Sequence, residues 1–405
     1  MTGGDTARWR HLGVSLVGLV AACAVQNGLP FLTVAFRAQG LSLAAIGLLV
    51  SALTAGLVLT LVAWGAAADR YGERLVLSAG LGVAAAALTG AALAGTPVAT
   101  GLWLLLAGAG SASVHAASGR LVLGWFPARQ RGLAMGIRQA GQPIGVGVAA
   151  LALPRLADEG VGAAFAALAA GCAVTAVLVG LLVRDPARPA PAAGAPPVAS
   201  PYRSPVLWRV HAASTLLVVP QFVVAAFSFD FLVRAAGWSV GAAGTLLAIT
   251  QLGGAAARLG AGAWSDHVGS RVGPLRLIAV AVAAAAGTLA AVAGLTPDVL
   301  GTALVAVAVV LATIVTVSPN GIAFTSVAEQ AGSAWAGRAL GAHNTAQNLS
   351  AALTVPLAAL LVESGAGYPA AFAAGTVAAA LAVGVVPGRA VETASLRAAG
   401  RVASR

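Results

Sequence analysis

The chain has 405 residues, 59% of them hydrophobic and only 9% charged. A soluble domain carries about 25% charged residues, so lipid rather than water is the economical solvent for this one. All 23 basic residues are arginine and set against 12 acids they give a net charge of +11. No basic stripe with interleaved aromatics runs along the chain, which sets nucleic acid aside as a partner. Cys23 and Cys172 lie in apolar runs and suit neither a disulfide framework nor a metal site.

The first apolar run follows Arg8, Arg10 and His11 and passes Cys23 without stopping. A lipoprotein-type signal would end there, whereas this run continues to Phe36 and reads as a first membrane-spanning helix. Eleven similar runs follow. The expected spans are 12–36, 43–66, 75–95, 98–123, 131–154, 160–183, 206–233, 240–263, 274–296, 299–324, 337–361 and 366–387. The stretch 184–205, rich in Pro, Ala and Ser, reads as an extended linker. It divides the chain into bundles at 1–183 and 206–388, with a tail at 389–405. With the N-terminus inside, sixteen arginines fall in cytoplasmic segments, counting the linker and the tail. Three, Arg37, Arg155 and Arg234, fall outside. That bias predicts cytoplasmic termini and a multi-pass protein of the inner membrane.

Between the second and third spans the chain reads Gly65-Ala66-Ala67-Ala68-Asp69-Arg70-Tyr71-Gly72-Glu73-Arg74. Between the eighth and ninth it reads Gly262-Ala263-Trp264-Ser265-Asp266-His267-Val268-Gly269-Ser270-Arg271, 197 positions on. A motif repeated at half-length means two equivalent halves. Span 5 holds Gly136, Arg138, Gln139 and Gln142, and span 11 holds Gly341, His343, Asn344, Gln347 and Asn348 in parallel register. The loop motif resembles the signature of the major facilitator superfamily. The stretch from Gly119 to Gln139 is also similar to bacterial members grouped near cyanate and nitrate/nitrite transporters. The resemblance implies an all-α polytopic membrane protein, with twelve transmembrane helices in two pseudo-symmetric six-helix bundles. It also implies that Asp69, Arg70, Gly72, Arg74, Asp266, Gly269 and Arg271 form a gating latch. His267 stands where the second copy lacks a base.

Polar side chains are costly in hydrocarbon and normally face a bundle interior or a water-filled cavity. Spans 3, 6, 9 and 12 hold almost none, as expected of helices turned to lipid in the resembled family. The expected substrate-contacting residues lie elsewhere: Gln26 and Asn27 in span 1, His115 in span 4, Arg138 and Gln142 in span 5, Gln221 in span 7, Gln251 and Arg258 in span 8, Asn320 in span 10, and Asn344, Gln347 and Asn348 in span 11. Arg138 with Gln142, and Arg258 with Gln251, share helical faces. A guanidinium with an amide beside it suits a carboxylate or similar oxyanion. Arg120, one turn from the end of span 4, is expected to snorkel or to pair with the loop carboxylates. Arg258 could equally pair with Asp266.

These residues point to a secondary transporter of a small anion or organic acid, a monomer in the bilayer, working by alternating access with or without a coupling proton or ion. No phosphate-binding Gly–Lys loop occurs, so no nucleotide cofactor is expected. Efflux of a hydrophobic or cationic compound is the competing transport reading. A receptor on the same fold is a more distant one. A membrane-embedded enzyme is not expected, because Asp230 is the lone intramembrane acid and no H-E-x-x-H motif occurs.

Overall fold

In a computed structural model of the protein, residues 3–186, 200–295 and 302–398 are described. The centre of the expected linker, the start of the tenth span and the end of the tail lie outside them. The described residues are mostly helical and contain no strand. Hydrocarbon leaves a backbone no partner but itself, and the helix satisfies every peptide internally. Nine described segments, from Thr6–Ala38 to Ala336–Val385, are long and apolar enough to cross a membrane; the last covers the eleventh and twelfth expected spans.

The first six spans correspond to α1 (Gly3–Gly28, continued by a 3₁₀ turn and α2, Thr33–Ala38), α3 (Leu43–Tyr71), α4 (Glu73–Ala92), α5 (Pro97–Trp125), α6 (Arg131–Ala157) and α7 (Val161–Leu182). The second six are α8 (Pro205–Asp230), α9 (Val240–Val268), α10 (Val272–Ala293), the pair α11 (Thr302–Val317) and α12 (Pro319–Ala331), α13 (Ala336–Leu361) and α14 (Gly367–Val385). A short α15 (Arg389–Ala398) follows. The break between α11 and α12 has a plain cause. Pro319 has no N–H to give the preceding turn, and the Ser318 hydroxyl takes the carbonyl of Val315 instead, at 2.8 Å.

Helix starts are capped in two ways. Ser42, Thr96 and Ser239 cap α3, α5 and α9 with their own hydroxyls. The starts of α4, α6, α10 and α13 instead receive carboxylates from distant parts of the chain. Gly72 and Gly269 stand at the ends of α3 and α9 with φ of 100° and 67°, where a β-carbon would be strained.

The helices group into two compact units. The first holds residues 1–127, 140–199 and 331–345, and the second holds 128–139, 200–330 and 346–405. Thus α6 begins in the second unit and continues in the first, while α13 does the reverse. In the first unit α4 packs on α5 and α7, around a core that includes Leu81, Leu88, Phe165 and Val179. In the second, α10 packs on α14 and α14 on α8, around Phe231, Leu289 and Phe372. The outward faces of these third, sixth, ninth and twelfth helices are apolar and exposed, through residues such as Leu75, Val177, Leu277 and Val377. Lipid contact requires such a surface.

Candidate functional site: two glycine seams and their arginines

Each unit contains a seam where one helix of the loop motif crosses the first turns of a helix from the other sequence half. In the first unit Gly65 of α3 meets Gly337 of α13, and a β-carbon on Gly65 would lie 2.6 Å from the Gly337 carbonyl carbon. In the second unit Gly262 of α9 meets Gly132, just inside α6, and the corresponding distance is also 2.6 Å. One turn along, Gly341 lies against Leu61, and Gly136 against Arg258. Small residues four apart let the backbones touch, as in close-packed membrane helix pairs.

The motif aspartates sit one turn past the crossing glycines. Asp69 accepts the N–H groups of Gly337 (2.8 Å) and Arg338 (3.0 Å), and the Arg338 Nε at 2.9 Å. Asp266 accepts those of Gly132 (2.9 Å) and Leu133 (2.8 Å). Each carboxylate therefore satisfies the orphan N–H groups and the positive dipole end of the helix it caps.

A guanidinium braces each cap. Arg120 of α5 lies 3.2 Å from Asp69, pairs with Glu73, and donates to the Ser333 carbonyl at 2.8 Å. Arg271 lies 2.6 Å from Asp266 and 3.0 Å from Glu329 of α12, and donates to the Ala128 carbonyl at 2.6 Å. The braces match in kind but exchange origins: the loop supplies the acid and the helix the base in the first unit, and the reverse in the second. Burial weighs against the charge of Arg271, yet the carboxylates of Glu329 and Asp266 raise its pKa above the ordinary value. A further acid holds each loop. Asp185 accepts the N–H groups of Glu73 (2.7 Å) and Arg74 (2.8 Å), and Glu392 of α15 accepts those of Arg271 (3.1 Å) and Val272 (3.3 Å).

Of the residues expected in the latch, Arg70 and Arg74 are exposed. The guanidinium of Arg70 lies over the Tyr71 ring rather than at a carboxylate. Arg120 does the bridging, and Glu73, Asp185, Glu329 and Glu392 complete the network. Asp185 and Glu392 each follow the last helix of a six-span half and lie 207 positions apart, a periodicity visible in the sequence.

Deeper in the second unit, Arg138 and Arg258 are 1% and 4% exposed. They converge on one residue: Arg138 Nη1 donates to Gln139 Oε1 at 2.6 Å, and Arg258 Nη1 to the Gln139 carbonyl at 2.9 Å. Arg258 Nε also donates to the Val317 carbonyl (3.3 Å), at the break before α12. The Arg138 guanidinium lies over the Phe324 ring. The amide beside Arg138 is thus Gln139, not Gln142, which is half-buried in the first unit. Gln251 is exposed although Arg258 is buried. Asp266 is taken by Arg271, and the bonds described at Arg258 go to Gln139 and Val317.

In the same unit Asn320 donates to Gln221 (3.1 Å) and Gln347 to Ser214 (2.7 Å), and Asn348 is half-buried. In the first unit Asn344 donates to the carbonyls of His115 (3.3 Å) and Leu340 (2.9 Å). There Asn27 turns back to Cys23 of its own helix, and Gln26 is half-buried. Asp230 stands apart, 2.7 Å from Arg234 and 2.6 Å from the Tyr368 hydroxyl.

The sequence profile of the Major Facilitator Superfamily matches residues 14–355. An uncharacterised MFS-type transporter of Mycobacterium tuberculosis (strain ATCC 25618 / H37Rv) is 43% identical over 389 residues, 95% of this chain and 86% of that protein. The chain belongs to the Major Facilitator Superfamily. This facilitator also matches the fold of the E. coli fucose:proton symporter FucP, with a TM-score of 0.73 and 15% identity, covering 94% of this chain and 98% of that one. A human organic anion transporter, TETRAN, gives a TM-score of 0.70 at 16% identity, covering 94% and 99%. At such identities the likeness concerns the fold. The facilitator is a multi-pass membrane transporter.

Proposed function

We propose that this facilitator carries a small anion or organic acid by alternating access, and that Arg138 and Arg258 receive its charge. One asymmetry supports the reading. The two repeats share the crossing glycines, the aspartate cap and the arginine brace. At equivalent seam positions, however, Leu61 and His343 in the first unit are replaced by Arg258 and Arg138 in the second, at the same offsets of 197 and 205 that relate the flanking motifs. A buried guanidinium in a membrane helix is expensive and marks function by default. Its planar fork suits an oxyanion. Asn320, Gln221, Gln347 and Asn348 offer amides in the same unit.

The test is a thermal-shift screen of detergent-purified protein against nitrate, sulfate, gluconate and lactate. A binder at a hundred times its Kd stabilises the folded protein by about 2.7 kcal/mol. Arg258→Lys and Arg138→Lys keep the charge and lose the fork, and each is expected to weaken binding at least tenfold. No stabilisation by any of these anions, or lysine variants that bind like wild type, would move the efflux reading ahead.

A further inference from the structure

The bonds described at the two buried arginines of the second unit all go to neutral acceptors, and two broken helix turns supply the acceptors of Arg258. Helix α6 carries a proline, Pro143, in its interior. A helical carbonyl normally accepts the N–H four residues on, and proline has none. The carbonyl so released is that of Gln139, and Arg258 Nη1 donates to it at 2.9 Å. Val317 ends α11 beside the break at Pro319, and its carbonyl takes Arg258 Nε at 3.3 Å. Hydrocarbon tolerates such broken turns where a neighbouring helix supplies the missing donor. Glycines allow the approach. A β-carbon on Gly136 would lie 2.6 Å from the Arg258 carbonyl oxygen, and one on Gly321 would lie 3.3 Å from the Gly136 Cα.

Gln139 also holds Arg138. Its Oε1 accepts Arg138 Nη1 at 2.6 Å, and the Phe324 ring lies against that guanidinium. One residue thus meets both cations, one through its side chain and one through its main chain. The counterparts of Pro143 and Arg258 change together. At the offsets of 205 and 197 that relate the motifs, Asn348 corresponds to Pro143 and Leu61 to Arg258. Where the helix keeps its N–H, the facing position is apolar. Where proline removes it, an arginine stands there.

We propose that Gln139 is the positioning residue of the anion site: its side chain aims Arg138, and its carbonyl, released by Pro143, aims Arg258. This rests on the anion reading above. A carbonyl, an amide oxygen or a ring face orients a guanidinium without cancelling its charge. Two like charges in a low-dielectric interior repel, and a tie between them sets their separation before any ligand arrives. A pair fixed in advance does not reorganise when the anion binds.

The test measures binding of nitrate, sulfate, gluconate and lactate to detergent-purified full-length protein by thermal-shift titration. Unfolding in mixed detergent–SDS micelles is recorded in parallel. Gln139→Glu keeps an acceptor for Arg138 and adds a negative charge. It should unfold at or above the wild-type SDS fraction, yet bind the anion at least tenfold more weakly. A purely structural glutamine predicts unchanged binding. Pro143→Ala returns the Gln139 carbonyl to an N–H of its own helix and should weaken binding at least threefold. In the Arg258→Lys background it should have no further effect, because it acts through that residue. This cycle decides even if Gln139→Glu does not fold. Wild-type affinity in folded Gln139→Glu or in Pro143→Ala overturns the positioning role, as do effects of Pro143→Ala and Arg258→Lys that simply multiply. The anion reading stands in those cases if Arg258→Lys and Arg138→Lys alone weaken binding. If no anion stabilises wild type, the anion reading falls and the role of Gln139 falls with it.

Discussion

Gly262→Ala tests the seam with a single methyl group. Its β-carbon would lie 2.6 Å from the Gly132 carbonyl carbon, where ordinary contact begins at 3.4 Å. The obstacle is backbone and cannot rotate away, so α9 and the start of α6 must part by about 1 Å. That movement stretches the bonds from Asp266 to Gly132 and Leu133, now 2.9 and 2.8 Å, past the length at which they hold. Overpacking costs about 1–3 kcal/mol and a lost cap about 0.5–2 kcal/mol, against about 1 kcal/mol regained from replacing glycine in a helix. The net expectation is a loss of about 0.5–4 kcal/mol. Gly260, two residues earlier, has nothing within 4 Å of its built β-carbon. Gly260→Ala should therefore be neutral or stabilising by up to about 1 kcal/mol. Unfolding in mixed detergent–SDS micelles reads both. If the two variants unfold at the same SDS fraction, the seam is not a tight contact and the cap argument built on it fails.

Removing the first brace should show its electrostatics. Arg120→Gln leaves Asp69 and Glu73 buried side by side and should cost about 3–5 kcal/mol, while adding Glu73→Gln should recover at least half. Equal unfolding midpoints for the single and double variants would refute the brace. Asp69→Asn should insert normally yet slow transport in reconstituted vesicles, since it weakens the cap on α13 and leaves the apolar core of α3 intact. Reporter fusions at residue 195 and at the C-terminus should both give cytoplasmic signals; an external signal at either would overturn the topology drawn from the arginine bias.

The helices and the pairing of the two repeats were legible because they rest on local quantities: runs of about 20 apolar residues, glycine–aspartate spacing, and arginine in the loops. Asp69 and Asp266 could be singled out for the same reason. What each carboxylate caps could not be read, because the N–H groups of Gly337 and Gly132 lie in the other sequence half. Arg70 and Arg74 fitted the motif pattern as well as any base did. The helix face decides against them, since both point outward while Arg120, near the end of a span, reaches in. Gln142 was matched to Arg138 by helical spacing, yet adjacent Gln139 bonds it, because a long guanidinium can fold back along its own turn. The second acids, Asp185 and Glu392, lie in segments whose composition reads as linker and tail, and only their spacing of 207 positions marks them.

The exchange of helix ends between the units bears on how the chain is made. The first unit needs residues 331–345, yet its other parts end at 199. At about 5–20 residues per second the ribosome takes on the order of ten seconds to deliver the missing turns of α13. Until then the Asp69 carboxylate has no helix start to cap, and the Gly65 face has no partner backbone. The nascent first half must therefore wait in the membrane with the Asp69 carboxylate and the Gly65 face not yet covered by α13. Severing the gene in the 184–205 segment would give two polypeptides, each lacking the turns that complete its own larger unit. They should mature only when both are made together in the same cell.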